Sequence, residues 1–79
     1  MYGEYSVCQF FENEQYEYVR RFVSAEEAVR AFQHYTSSVG ARLGITVRVI
    51  ITDAGDCTNM EWQFGKGVTF PPSETLQTA

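Results

Sequence analysis

Between Ser24 and Gly44 the apolar residues Ala28, Phe32, Tyr35, Val39 and Leu43 recur in steps of four, three, four and four. That is the spacing of one helical face. Val29 and Ala31 lie beside this stripe, while Arg30, Gln33, His34, Ser37 and Ser38 fall between its members and are expected to face water. Ser24-Ala25-Glu26-Glu27 reads as a capping box: the Ser24 hydroxyl accepts from the backbone three residues on, and the Glu27 carboxylate reaches back to the Ser24 N–H. Glu26 and Glu27 also set negative charge against the positive end of the helix dipole. At the other end Gly44 suits a left-handed terminator, with Ile45 placed for the apolar contact that follows it. Gly40 inside the stretch costs about 1 kcal/mol relative to alanine, so the helix is expected to end either at Val39 or at Leu43.

The flanks read as strands. Glu4 to Phe11 is rich in aromatic and small residues, Glu12 to Gln15 is a polar break, and Tyr16 to Val23 completes a hairpin. A loop of two or four residues pairs Phe11 with Tyr16, Gln9 with Tyr18, Val7 with Arg20 and Tyr5 with Phe22. Opposed residues share a face. Tyr5, Val7, Gln9, Phe11, Tyr16, Tyr18, Arg20 and Phe22 then stand on one side. Glu4, Ser6, Cys8, Phe10, Glu17, Val19, Arg21 and Val23 stand on the other. A three-residue loop would shift the parity and mix the two sets.

After the helix, Thr46 to Thr52 is β-branched almost throughout, as strands prefer. Asp53-Ala54-Gly55-Asp56 has turn chemistry, and Cys57 to Phe64 alternates apolar with polar. Closing this turn in the simplest way pairs Ile51 with Thr58, Val49 with Met60 and Val47 with Trp62 on an apolar face. Ile50 with Asn59, Arg48 with Glu61 and Thr46 with Gln63 occupy the reverse. Gly65-Lys66-Gly67 is a flexible break, Val68-Thr69-Phe70 a short edge strand, and Pro71-Pro72 ends regular structure.

The element order is therefore ββαββ. It predicts an α+β two-layer sandwich, a four-stranded and mostly antiparallel sheet with one helix on one face. Residues 1–70 form one domain and residues 71–79 a flexible tail. The order of the strands is left open; the first and last meeting in the middle is one arrangement.

Composition narrows the function classes. Seventy-nine residues make one domain, and a chain of this size buries only roughly 60–65% of its unfolded surface. A 44% hydrophobic fraction with five tyrosines, six phenylalanines and a tryptophan argues for a folded core. The net charge of −4 and six dispersed basic residues make no phosphate-tracking patch, so nucleic acid is not the expected partner. No apolar run spans a bilayer, and Met1-Tyr2-Gly3-Glu4 has neither a charged lead-in nor an apolar signal core. The expectation is a cytoplasmic protein with no membrane partner and two free thiols.

Candidate chemistry is sparse. Cys8, Cys57 and His34 are the soft metal ligands, and they lack the close pairing that structural zinc uses, so no metal or cofactor is expected. Cys8 or Cys57 acting as a nucleophile would need His34 on its side of the sheet, and His34 is predicted on the outer face of the helix. Asp53, Asp56 and Glu61 do not follow calcium-loop spacing. Gly65-Lys66-Gly67 lacks the remainder of a phosphate loop. Tyr16, Tyr18 and Phe22 alternate as a base-stacking strand would, but without flanking basic residues core packing is the better reading.

What remains is surface. One helix covers one face, and with the aromatic set of the first hairpin beneath it the open face carries Cys8, Phe10, Val19, Arg21, Arg48, Ile50, Asn59 and Glu61, with Ser6 beside them. Apolar residues in a polar frame signal a contact surface. The leading expectation is a small non-enzymatic interaction module that self-associates, or docks another protein, through this face. The alternative is a small-molecule-binding domain with a pocket between helix and sheet around Tyr16, Tyr18, Arg20 and Tyr35. A minimal enzyme completing its site across a dimer is a third reading.

Overall fold

The structure, a computed structural model, describes residues 3–71; the predicted tail lies, apart from Pro71, outside the described residues. It is a small α+β fold with an antiparallel sheet of five strands. The elements run β1 (Tyr5–Phe11), β2 (Tyr16–Val23), α1 (Ala25–Thr36), α2 (Val39–Leu43), β3 (Thr46–Thr52), β4 (Thr58–Gln63) and β5 (Gly67–Phe70). The strand order is β2-β1-β3-β4-β5. The expected four strands become five because Gly67–Phe70, the short edge strand expected at Val68–Phe70, pairs with β4 across one register irregularity. The centre holds β1, β3 and β4, and the first two are direct neighbours.

Ser24 caps α1 as its sequence implies, its Oγ accepting from the Glu27 N–H at 3.1 Å. Only half of the predicted capping box forms, because the Glu27 carboxylate lies 3.7 Å from Arg20 Nε on β2 instead. The helix stops at Thr36, earlier than either predicted end. Ser37 Oγ donates to Gln33 O at 2.8 Å, and Ser38 starts a separate turn of helix by accepting from the Ala41 N–H at 3.2 Å. Two adjacent serines thus offer the backbone alternative partners and break the run. The break ends the expected apolar stripe: Ala28, Ala31 and Phe32 are buried on α1 and Ala41 on α2, while Val39 and Leu43 are about 70% exposed. Gly44, at φ 81°, ends α2 as expected, and the Ile45 N–H returns to Gly40 O at 2.9 Å, completing a Schellman motif.

The core is Val7, Ala28, Ala31, Phe32, Val49 and Ile51, with Tyr5, Val19, Val23, Tyr35, Met60 and Trp62 packed around it. Helix α1 therefore lies over β2, β1 and β3, and α2 lies against β3. A helix of twelve residues is too narrow to roof five strands.

Two registers differ from the sequence reading. In the first hairpin Glu12–Glu14 is a three-residue loop: the Glu14 N–H donates to Phe11 O, the Phe11 N–H donates to Gln15 O, and Glu14 takes a left-handed φ of 69°. The paired residues are Phe10 with Tyr16, Gln9 with Glu17 and Cys8 with Tyr18. This odd shift moves Tyr16 and Tyr18 to the side away from α1. The same odd shift carries Val19 to the core side; an irregularity beyond it sets Arg20 opposite Val7, the pairing expected from the sequence, and Phe22 takes φ 57°. In the second hairpin Val49 pairs with Trp62 and Ile51 with Met60, a slip of two from the expected register. An even slip leaves Val49, Ile51, Met60 and Trp62 on their predicted face, whereas Thr58 moves opposite Thr52 and Thr46, expected on the reverse, is buried against Gln9.

A buried polar chain ties the three strands under α1 together. Thr46 Oγ1 on β3 donates to Gln9 Oε1 at 3.2 Å, and Gln9 Nε2 donates to Glu17 Oε1 at 3.0 Å. Gln9, on the covered side as expected, is buried and satisfied.

Candidate functional site

The helix-free face of the sheet brings together aromatic and charged side chains from several strands. Its floor is Cys8 and Ile50, direct partners on β1 and β3, only 2% and 8% exposed although no helix lies over them. Their register neighbours Tyr18 and Glu61 rise on either side. The pairing of Phe10 with Tyr16, and the two-residue step from Tyr16 to Tyr18, makes an aromatic row along β1 and β2. Ring centroids are 5.8 Å apart for Phe10 and Tyr16, and 6.2 Å apart, edge to face, for Tyr16 and Tyr18. Such pairs favour offset and edge-on geometry because the ring face is negative and the rim positive.

Two guanidinium groups cap the row. Arg21 Cζ lies 4.6 Å from the Tyr18 centroid and 5.4 Å from that of Phe22, and Arg48 Cζ lies 4.9 Å from that of Phe10. Arg48 is held from its other side as well, its Nε donating to Glu61 Oε2 at 2.6 Å. Gln63 Nε2 donates to the same carboxylate oxygen at 2.9 Å. The Gln63 amide first, and Arg48 with it, hold the Glu61 carboxyl below the usual carboxylate range. Burial pushes the Cys8 thiol above its ordinary value, so the floor of this face is chemically quiet. Phe70, register partner of Glu61, extends the face onto β5.

Of the residues expected on this face, Cys8, Phe10, Arg48, Ile50 and Glu61 are brought together, and Arg21 joins them through Tyr18. Val19 leaves for the core because the three-residue loop reverses the parity of β2. Asn59 is the unpaired residue of an irregularity in β4, exposed, with its Nδ2 donating to Cys57 O at 3.1 Å. Tyr16, Tyr18, Phe22 and Phe70 belong to the surface and were expected elsewhere or left unassigned. The signal for the first two was the loop length, since three residues between Phe11 and Gln15 reverse the parity.

The alternative pocket is not assembled. Tyr16 and Tyr18 stand on one side of the sheet, while Tyr35 packs against the core under α1 on the other. Arg20 joins a separate groove with Glu27, Arg30, Ala31 and His34. Cys57 is exposed at the β3–β4 turn, Cys8 is buried, and both thiols are free. Among the described residues no three His, Cys, Asp or Glu side chains cluster as metal ligands do, and no helix is long and apolar enough to cross a membrane. No family model matches this chain, and neither a curated protein nor a solved structure is significantly similar to it.

Proposed function

We propose that this chain is a small non-enzymatic interaction module whose helix-free sheet face docks a second protein surface, a second copy of the chain being the partner it fits first. The observation that supports this reading is the composition of the face. Tyr16 is 62% exposed in a row of tilted and edge-on rings, flanked by Arg21 and Arg48. Aromatic residues and arginine are the types enriched where proteins meet.

The sheet edges favour face-to-face docking over strand addition. Edge strand β2 carries two register shifts, and edge strand β5 is four residues long and followed by Pro71. Both devices blunt an edge against further pairing. The size of the face sets the strength. Five strands about 4.8 Å apart, each offering about 20 Å of length, give roughly 400 Å² per partner. Two such faces fall short of the roughly 1,200 Å² of a stable interface, so association is weak and transient. Arg48 and Glu61 put both signs of charge on one face, which suits an isologous contact. Two free thiols, one of them exposed, suit the reducing cytoplasm.

Sedimentation of the chain over a concentration series tests the reading. Growth of the average mass toward a dimer, abolished by Tyr16→Glu without loss of fold, is the expected result. A constant monomer mass up to millimolar concentration removes the self-association.

A further inference from the structure

On the helix side of the sheet, independent of the aromatic face, a groove of about 250 Å³ is lined by Arg20, Glu27, Arg30, Ala31 and His34. Three features build it. The register shift after Tyr18 sets Arg20 opposite Val7, on the side where α1 packs. Arg30 and His34 are four residues apart on α1 and so share one flank of the helix. The buried Ala31 between them leaves the groove free of side-chain bulk.

The charge distribution points to a ligand class. The chain has ten acidic residues against six basic ones and a single histidine, yet two arginines and that histidine meet here against one carboxylate. Glu27 Oε2 sits 3.7 Å from Arg20 Nε, and both side chains are nearly half exposed. A pair this long and this wet is weakly held. Arg20 Nη1 donates to Val19 O at 2.7 Å, which uses one of its five N–H donors and leaves the others for a ligand or Glu27. Arg30 makes no ion pair among the described residues.

We infer that this groove binds a small oxyanion of the phosphate class, held by Arg20 and Arg30 with His34 beside them. The guanidinium fork matches phosphate oxygens two at a time. The groove, at about 250 Å³, is smaller than the roughly 300 Å³ at which drug-sized sites begin, which suits a small anion. Glu27 competes with the ligand for Arg20, so removing its charge strengthens binding.

The test is a titration of the full chain with inorganic phosphate at low ionic strength, with chloride matched as control, followed by amide shifts in nuclear magnetic resonance. Saturable shifts centred on Arg20, Arg30 and His34 are expected. Arg30→Gln weakens binding roughly tenfold and Glu27→Gln strengthens it roughly threefold. Arg42→Gln, on the exposed surface of α2, leaves it unchanged. Non-saturating shifts, an Arg42→Gln effect as large as that of Arg30→Gln, or a Glu27→Gln variant that binds no better would each overturn the inference.

Discussion

Arg48 and Glu61 are not cross-strand partners, yet their side chains meet at 2.6 Å. The register sets Arg48 opposite Gln63 and Glu61 opposite Ile50, so the ion pair runs diagonally across the β3–β4 ladder. Gln63 joins it through the same carboxylate oxygen. These contacts favour the ionised form of Glu61, whose pKa is therefore depressed in the folded state. A depressed carboxylate adds stability above the unfolded carboxylate pKa and loses it as pH falls through the lower folded value. Glu61→Gln is expected to cost about 0.5–1 kcal/mol at neutral pH. The gap to the wild type should close on acidification from pH 7 through the carboxylate range. Asp53, held low by the Asn59 amide and by the Cys57 and Gly55 N–H groups, contributes in both chains and cancels from the difference. Urea melts of the two chains at several pH values provide the check, and a gap that stays constant to pH 3 contradicts it.

The β1–β2 turn stores strain at a residue that no local pattern marks. Glu14 sits at φ 69° as the third loop residue, exposed to solvent. A left-handed conformation costs a residue with a Cβ about 1–2 kcal/mol, which glycine avoids at the expense of about 0.5–1 kcal/mol of chain entropy. Glu14→Gly should therefore stabilise the fold by roughly 0.5 kcal/mol, seen as a higher urea midpoint with an unchanged slope. A lower midpoint would show that the Glu14 side chain contributes more than its backbone costs.

That turn explains how much of the fold was legible. The alternation through Thr46–Thr52 and Cys57–Gln63 is strong enough that Val49, Met60 and Trp62 stay on the helix side despite a two-residue error in register. In β1 and β2 the alternation is weaker, because aromatic residues occur at both parities, and the loop length alone decides which set is covered. Left-handed Glu14 and Phe22 carry no glycine or asparagine to announce them. Glu14 takes its conformation in the three-residue turn and Phe22 in the irregular end of β2. The Ser37-Ser38 break was visible as a second capping serine three residues before Ala41, and the regular apolar spacing across it masked the signal. Arg20 was expected opposite Val7 on the covered side, as found; that Arg30 and His34 of α1 meet it there depends on how the helix lies across the sheet, which local sequence does not encode.

The two cysteines should behave as opposites. Cys8 is 2% exposed on the floor of the sheet face, and burial raises its thiol pKa, so it is short of the reactive thiolate. Cys57 is exposed at the β3–β4 turn. Iodoacetamide on the native chain should label Cys57 alone, as read by peptide mass mapping, with Cys8 reacting only after denaturation. Equal labelling of both under native conditions would mean that the floor of the face opens readily.

Gly44 combines a backbone requirement with a close neighbour. At φ 81° it ends α2, and a Cβ built there would stand 3.2 Å from the Phe64 ring. Phe64 is about half exposed and can swing away. The backbone cost thus dominates, and Gly44→Ala should destabilise by about 1–2 kcal/mol. A double-mutant cycle with Phe64→Ala separates the two contributions. Most of the loss should persist in the Phe64→Ala background; if it disappears there, the ring and not the helix terminator demands glycine.

The sheet face yields the prediction that bears most directly on function, and the exposures decide which variant can test it. Ile50 is buried although it lies on the helix-free side, so Ile50→Glu would unfold the chain and say nothing about docking. Tyr16 stands at the outer end of the aromatic row, at an edge strand, with its ring mostly in solvent. Tyr16→Glu removes only the stacking with Phe10 and Tyr18, about 0.5–1.5 kcal/mol for each pair, and leaves the core beneath α1 untouched. In a self-associating chain the same change puts a carboxylate into the contact, and two copies bring two such charges into it. The sedimentation-derived dimer constant should then weaken at least about tenfold, while the circular dichroism spectrum stays that of the wild type. Val39→Glu, on α2 at the other side of the sheet and equally exposed, should leave the constant unchanged. If Val39→Glu disrupts association and Tyr16→Glu does not, the contact is made by the exposed apolar end of α2 and the aromatic face is a monomer surface.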